Sequence, residues 1–323
     1  MLNKIKHPVL FQGNLDKKKY FEGWYYKQVT ADQKTSLSFI PAVSLNPEDP
    51  HSFVQYILVQ RDDEELTQTR TGYLPYPVSS FSYSTDPFSV TIASSVFTEK
   101  SVSVELEDEG QHIKGELALG DFHPIQRSVL HPNIMGVFAY IPHMQCYHGV
   151  ISMKHSLEGT VRVNDQEIDF TGGRGYIEKD WGSSFPKHYI WLQSNHFEEP
   201  TASLFFSIAH IPFYFTEFEG FICNFVLKDR EHRFATYNGS RCRIQEISNQ
   251  AVHLLLENKR ARLDIRAEVF DGGRLIAPVE GKMKKAIREG ISGILSVDFE
   301  DKVTGEKYRD TGENAGVEIV DYK

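Results

Sequence analysis

The sequence of 323 residues has few cysteines and no long apolar run. Its three cysteines, Cys146, Cys223 and Cys242, are odd in number, and none belongs to a Cys-x-x-Cys pair. A disulfide framework is therefore not expected, which fits a reducing compartment. No stretch approaches the ~20 apolar residues of a membrane helix, and the N-terminus has no signal-peptide pattern. We expect a cytoplasmic protein with no integral membrane segment.

Positive charge is also scarce. Lys and Arg number 35 against 44 Asp and Glu, and the formal net charge is −9. Binding to nucleic-acid phosphates needs clustered Lys and Arg, so no nucleic-acid partner is expected. Residues 172–175, Gly-Gly-Arg-Gly, lack the Gly-Lys-Ser/Thr ending of a phosphate loop and are typical of a turn. The Gly-x-Ser-x-Gly elbow of one large hydrolase class is missing too.

Metal ligands at a recognisable spacing are likewise missing. His143, Cys146 and His148 lie close together in the sequence, but zinc normally needs a third or fourth ligand at a defined spacing. We therefore predict no metal and no cofactor.

The pattern that dominates the sequence is alternation of apolar and polar residues with a period of two. It is clearest over residues 262–269 and recurs over 101–106, 113–119 and 161–170. Such alternation is typical of strands with one wet face. The sequence predicts an all-β fold of antiparallel barrels or sandwiches with few short helices, one of them at 282–289 between Pro278 and Gly290.

A seam in this pattern lies around residues 140–149, where Pro142, His143 and Gly149 interrupt it. The length of the chain allows two ordinary domains. We predict an N-terminal domain over residues 1–148 and a C-terminal domain over residues 149–323.

Residues 175–195 hold an unusual concentration of charged, indole and amide side chains. Alternation places Glu178 and Asp180 on one face of a strand, with Lys179 and Trp181 on the other. Two carboxylates on one face can split their pKa values, which leaves one of them protonated as a general acid. The alternative is a salt bridge to a nearby cation, Arg174 or Lys187.

The amides Gln193 and Asn195 follow in the same region. Alternation puts them on one face with Trp191. Amides beside an indole can orient a phenol or quinone oxygen by hydrogen bonding. They can equally close a polar network inside a barrel.

A second cluster is aromatic and lies at residues 20–27, Tyr-Phe-Glu-Gly-Trp-Tyr-Tyr-Lys. On a strand, Glu22, Trp24 and Tyr26 share one face, and Tyr25 lies on the other. Either Glu22 and Trp24 face a cavity together, or Glu22 pairs with an arginine across the sheet.

These motifs resemble the tocopherol cyclase family. Residues 20–27 are similar to that family's N-terminal Tyr-Phe-Glu-Gly-Trp-Tyr-Phe-Lys signature, and residues 176–186 to its Glu-Lys-Asn-Trp-Gly-Gly-Gly-Phe-Pro segment. The matching Trp-Leu-Gln-Ser-Asn of residues 191–195 follows, and residues 275–278 and 315–319 resemble later family motifs in the same order. This chain departs from the family at Asp180 and at Ser183-Ser184.

The resemblance implies two lipocalin-like β domains and cofactor-free, acid-catalysed cyclisation of a prenylated quinol or a similar long apolar substrate. In such a reaction an acid protonates an alkene, and a phenol oxygen captures the resulting cation. A non-catalytic protein that binds a hydrophobic ligand, and a hydratase of an isoprenoid alkene, are the alternatives. The predicted catalytic residues are Glu178, Asp180 and Glu22, and the predicted substrate-binding residues are Trp24, Tyr25, Trp181, Trp191, Gln193 and Asn195.

Overall fold

The structure, a computed structural model, describes residues 2–62, 66–108, 110–213, 216–270 and 272–322. In these ranges it has one short α-helix, α1 (Leu2–Lys6), and 22 β-strands. Three single 3₁₀ turns lie at Val78–Ser80, Gly136–Tyr140 and Thr236–Asn238. None of the helical segments among the described residues has the length and apolar character needed to span a bilayer.

The first sheet is antiparallel and has twelve strands in the order β4-β3-β2-β1-β12-β10-β9-β8-β7-β6-β5, with β11 paired to β10. Its strands are β1 (Phe21–Val29), β2 (Thr35–Ser44), β3 (His51–Arg61), β4 (Thr67–Pro77), β5 (Phe81–Thr85), β6 (Phe88–Ile92), β7 (Ser95–Thr98), β8 (Ser101–Asp108), β9 (Gln111–Leu119), β10 (Cys146–Val163), β11 (Gln166–Asp169) and β12 (Arg174–Gly182).

The second sheet is also antiparallel and has ten strands in the order β16-β15-β14-β13-β22-β21-β19-β18-β17, with β20 paired to β21. Its strands are β13 (Tyr189–Ser194), β14 (Ser203–Phe213), β15 (Thr216–Leu227), β16 (Arg230–Ala235), β17 (Arg241–Ile247), β18 (Ala251–Glu257), β19 (Ala261–Glu268), β20 (Gly273–Val279), β21 (Lys282–Asp301) and β22 (Lys307–Val320).

The predicted all-β, antiparallel fold is confirmed. In β19, which contains most of the alternating stretch predicted at 262–269, the odd positions from Ala261 to Ala267 are buried and the even positions are more accessible. Apolar side chains on one face of such a strand leave water when the sheet packs, and this burial stabilises the fold. The short helix predicted at 282–289 is wrong, because these residues begin the long strand β21.

The chain divides into two compact units. Unit 1 comprises Met1–Arg127, Gln145–Phe185 and Arg274–Ile287, and unit 2 comprises Ser128–Met144, Pro186–Gly273 and Arg288–Lys323. Each unit has its own cluster of buried apolar side chains on one face of its sheet. The boundary placed between residues 148 and 149 stays a prediction.

Candidate active site

Three neighbouring strands of unit 1 bring the two sequence clusters together. Strand β1 pairs with β12, so that Trp24 lies opposite Lys179, and β12 pairs on its other side with β10. Because side chains alternate between the faces of a sheet, the clusters divide over two faces. The core face carries Glu22, Trp24, Lys179 and Trp181, and the polar face carries Tyr25, His148, Tyr176, Glu178 and Asp180.

Glu22 on the core face is fully buried and accepts four hydrogen bonds. The backbone N–H groups of Gln12 and Gly13 donate to its carboxylate over 2.6 and 2.9 Å, and the Tyr20 hydroxyl donates to it as well. Its fourth donor is the Lys179 ammonium, with which it forms an ion pair. Glu22 therefore has a cation partner across the sheet, a lysine where the sequence suggested an arginine.

Lys179 lies between two indole rings. Its Nζ atom is 4.4 Å from the ring centroid of Trp24 and 5.2 Å from that of Trp181, within cation–π range. The same ammonium donates to the carbonyl oxygens of Pro8, over 2.9 Å, and of Leu10. Burial lowers the pKa of Lys179 to about 8. The two indoles predicted to bind substrate thus lie against an ammonium of the protein itself.

Residues 8–13, here called the N-terminal strap, cover this part of the core face. The Trp24 Nε1–H donates to the Val9 carbonyl over 2.7 Å. The fully buried Phe11 ring packs against Trp24 and Phe81, with centroid distances of 6.4 and 5.4 Å. The strap therefore contributes both apolar packing and hydrogen bonds to the core of unit 1.

On the polar face, the imidazole of His148 lies between the two carboxylates predicted to be catalytic. Its Nδ1 is 2.8 Å from Oδ1 of Asp180, and its Nε2 is 3.3 Å from Oε2 of Glu178. The exposed fractions of these side chains are 11% for His148, 6% for Glu178 and 25% for Asp180. Asp180 is therefore the most accessible member of this group, which we call the His148 cluster.

The two carboxylates keep the His148 imidazole protonated. Burial lowers the pKa of His148, but the charges of Asp180 and Glu178 and their hydrogen bonds raise it more, to about 10. At neutral pH the cluster consequently holds a proton on an imidazolium that donates towards a carboxylate on each side.

Tyrosine and cysteine side chains surround the cluster. The buried Tyr176 hydroxyl donates to Glu178 over 2.6 Å, and burial together with that carboxylate raises the pKa of Tyr176 well above its usual range. Cys146 Sγ lies 3.8 Å from Asp180 Oδ1, and burial followed by the Asp180 charge raises the pKa of this thiol. Tyr25 lies directly opposite Glu178 on β1. Glu178 thus accepts a hydrogen bond from Tyr176 and faces Nε2 of His148 on the same side of the sheet.

The His148 cluster also has the composition of a metal site. Within the described residues it is the group whose imidazole nitrogen and carboxylate oxygens come close enough, all within 4.8 Å of one another, to hold an ion. One nitrogen and two oxygen ligands suit several divalent metals. A metal on His148 would have to replace the proton that the two carboxylates stabilise.

The remaining predicted residues belong to unit 2. Trp191 and Gln193 lie on β13, and both are buried. Asn195 follows the end of that strand and is also buried, with 2% of its surface exposed. The substrate-binding roles of these three residues, and those of Trp24 and Trp181, stay predictions.

His148 is the member of the site that the sequence did not assign. In the sequence it stands beside Cys146, a spacing that suggested only a metal motif. It is 32 residues from Asp180 along the chain, and the pairing of β10 with β12 brings the two together. Alternation within β12 predicted the shared face of Glu178 and Asp180, but no local pattern indicates which residue of another strand lies opposite.

Comparison with solved structures shows likeness in fold. A structure of CghA with Sch210972 has a TM-score of 0.57 and 8% identity, and kievitone hydratase from Nectria haematococca has 0.53 and 9%; each match covers 93% of this chain and 88% of the other. A Nitrosomonas europaea protein assigned as AttH has a TM-score of 0.51 and 11% identity over 92% of both chains. No curated protein matches the sequence.

The family comparison covers most of the chain. The tocopherol cyclase-like family model matches residues 117–319, which include β10, β12 and the whole His148 cluster. The aromatic motif at residues 20–27 precedes the matched range. With well over half of its length matched, the chain belongs to the tocopherol cyclase-like family.

Proposed function

We propose that this protein is an enzyme that transfers a proton from the His148 cluster to a carbon–carbon double bond of a hydrophobic small molecule. The preferred outcome is cofactor-free cyclisation of a prenylated quinol or a similar long apolar substrate in the cytoplasm. The observation that carries the proposal is the position of the buried His148 imidazole between Glu178 and Asp180, whose negative charges raise its pKa.

Asp180 is the proposed donor to the substrate. It is the most exposed of the three side chains, and its Oδ1 accepts the hydrogen bond from Nδ1 of His148. The proton of the imidazolium moves along this hydrogen bond to Asp180, and the carboxyl group formed there gives a proton to the alkene carbon. This leaves His148 neutral and Asp180 again a carboxylate. Glu178, held by Tyr176, keeps the imidazole in place from the other side. Glu22, saturated by four donors on the core face, is better suited to holding the strap than to giving up a proton.

The charge balance of this step favours a buried site. The positive charge leaves the imidazolium and appears on the tertiary carbon of the substrate, so the total charge of the site does not change. The two carboxylates that stabilised the imidazolium then attract the carbocation, and they need no reorganisation to do so. The phenol oxygen captures the cation, the new C–O bond closes the ring, and the phenol proton returns to the cluster.

A geranylated hydroquinone tests the reaction. The wild-type protein should convert it to a product of unchanged mass, and Asp180→Asn should slow this conversion about 10²- to 10⁴-fold, the usual contribution of a general acid. Glu167→Gln, at an exposed carboxylate of unit 1, serves as the matched control and should leave the rate unchanged.

Each other outcome has a defined meaning. A product heavier by one water would favour the hydratase alternative, with water in place of phenol as the nucleophile. Binding of the quinol without conversion would favour the ligand-binding alternative. Equal turnover by wild type and Asp180→Asn would refute the role of the His148 cluster.

A further inference from the structure

Asn224 is a buried amide that has no hydrogen-bond partner within the described part of the chain. It lies on β15 and is fully buried, and neither Oδ1 nor Nδ2 has a hydrogen-bond partner among the residues that the structure describes. Buried amides in folded proteins are normally paired, because an unpaired donor or acceptor loses its bonds to water and gains nothing. Two such atoms on one side chain point to a group outside the chain that pairs with both.

The position of Asn224 in the sheet places it beside other large side chains. It lies opposite Phe205 of β14, and Phe205 in turn lies opposite Gln193 of β13. Phe205 and Gln193 are fully buried. Cys223 and Phe225, the neighbours of Asn224 along the strand, belong to the apolar core of unit 2. Asn224, Phe205 and Gln193 therefore form a row on the sheet face that points away from that core.

The next row of the same face is aromatic at one end and more open at the other. The Trp191 ring lies over Gly316, so closely that a Cβ atom there would be 2.4 Å from the ring. Ser207 and Ile222, which continue this row towards β15, are only half-buried. The rings of Trp191 and Phe205 thus lie on the same face of the sheet as the Asn224 amide.

We propose that this face of unit 2, formed by Trp191, Gln193, Phe205 and Asn224, binds a flat ligand group that is neutral and offers a hydrogen-bond donor beside an acceptor. Oδ1 of Asn224 accepts from the ligand donor, and Nδ2 donates to the ligand acceptor. An aryl carboxamide has this arrangement. The site does not depend on whether the His148 cluster moves a proton.

The charges on the same face favour a neutral ligand. Arg233 of β16 lies directly opposite Asn224, and an ion pair with Glu231 already balances its charge. Glu318 of β22 lies directly opposite Trp191 and is 6% exposed. A buried carboxylate disfavours a second negative charge near it. A carboxylate ligand would also leave Oδ1 of Asn224 without a donor, whereas a carboxamide satisfies both atoms.

The competing explanation is a structural amide satisfied by internal water, and a substitution separates the two. Asn224→Leu keeps the size of the side chain and removes both polar atoms. If these atoms have no partner in the ligand-free protein, the Tm of the full chain should stay the same or rise. The matched control is Asn258→Leu. In the wild type, Nδ2 of Asn258 donates a hydrogen bond to Ser240 Oγ over 3.2 Å, and its Oδ1 accepts from the N–H groups of Arg260 and Ala261 over 2.8 and 2.9 Å. That variant should lower the Tm.

Binding is measured with three small probes on protein labelled with ¹⁵N at asparagine. Benzamide should shift the NMR resonances of one side-chain NH₂ pair, and this pair should be missing from the spectrum of Asn224→Leu. The wild type should bind benzamide at least tenfold more tightly than that variant does. Acetophenone, which lacks the donor, should bind at least fivefold more weakly than benzamide, and benzoate at least tenfold more weakly. Asn258→Leu should bind benzamide as wild type does.

Several results would overturn the proposed site. One is a fall in Tm for Asn224→Leu that is as large as that of the control. The others concern binding: no binding of benzamide, equal affinity of wild type and Asn224→Leu for benzamide, or binding of benzoate or acetophenone as tight as that of benzamide.

Discussion

The buried ion pair between Glu22 and Lys179 gives a stability prediction that depends on the core face alone. Both side chains are fully buried. Glu22→Gln keeps the shape of the side chain but leaves the ammonium without its carboxylate. Removing one partner of a buried pair typically costs about 3–5 kcal/mol, because the remaining charge has lost both water and its counter-ion. We expect a loss in this range for the free energy of unfolding of unit 1.

The lowered pKa of Lys179 explains why the expected loss of stability is this large. Even with Glu22 present, burial lowers the pKa of Lys179 from 10.5 to about 8, which corresponds to roughly 3 kcal/mol against the charged form. Without the carboxylate the penalty grows, because the carbonyls of Pro8 and Leu10 and the two indoles that contact the ammonium carry no full negative charge. The double variant Glu22→Gln with Lys179→Met removes both charges of the pair, so most of the lost stability should return.

Fluorescence can report on unit 1 alone. Two of the three tryptophans, Trp24 and Trp181, belong to unit 1, so a Trp191→Phe background removes the signal of unit 2. Urea unfolding at pH 7 then gives the difference between variants. As a control, Glu105→Gln breaks an exposed pair with Lys114 and should leave the free energy of unfolding close to that of the wild type, because water screens such a pair. A loss below about 1 kcal/mol for Glu22→Gln would refute the reasoning.

Three further results are expected. His148 is protonated in the folded state up to about pH 10 but loses its proton near pH 6.5 when unfolded, so it stabilises the fold fully below pH 6.5 and progressively less up to pH 10. The free energy of unfolding in urea should therefore fall by roughly 1 kcal/mol per pH unit between pH 6.5 and 8, and His148→Gln should abolish this fall. Above pH 8 the lowered pKa of Lys179 acts in the opposite direction, because the folded state then binds fewer protons than the unfolded one, so the curve should flatten; a steady decline to pH 10 would contradict this. Gly175→Ala places a Cβ 2.1 Å from the ring of the buried His155 and should cost about 1–3 kcal/mol in thermal or urea unfolding, and a neutral effect would show that the ring moves freely.

Much of the fold follows from local patterns. Strand β8 (Ser101–Asp108) and strand β19 (Ala261–Glu268) alternate strictly in sequence and alternate in burial in the structure. The helix predicted at residues 282–289 was wrong. It was based on Pro278 and Gly290 as boundary signals, and Lys, Met, Ala, Arg and Glu between them also favour helices in isolation. In the protein this segment continues directly into the strand that pairs with β19 and β22, and pairing over that length outweighs local propensity.

The site could be predicted only as far as a single strand reaches. Alternation gave the shared face of Glu178 and Asp180, which is a property of β12 alone. The position of His148 depends on the register of β10 against β12, and this register shifts twice between Val150 and His155. Bulges of this kind change which residues meet, and no feature of either strand indicates them in advance. The sequence also could not predict that the Asn224 amide is unpaired among the described residues, because this depends on every side chain that packs around it in the folded protein.

The division of the two clusters over opposite faces changes how their charges should be understood. Lys179 lies between its two acidic neighbours in the sequence, but alternation along a strand predicts that it points away from both. A single step along a strand reverses the direction of a side chain, so Lys179 points to the core and the carboxylates beside it point away. The lysine is balanced by Glu22 and the N-terminal strap, and the carboxylates are balanced by His148. The pair on the core face is neutral, whereas the polar face has one imidazolium for two carboxylates. Of these two groups, the His148 cluster is the one that combines a held proton with a partly exposed carboxylate that can pass it to a substrate.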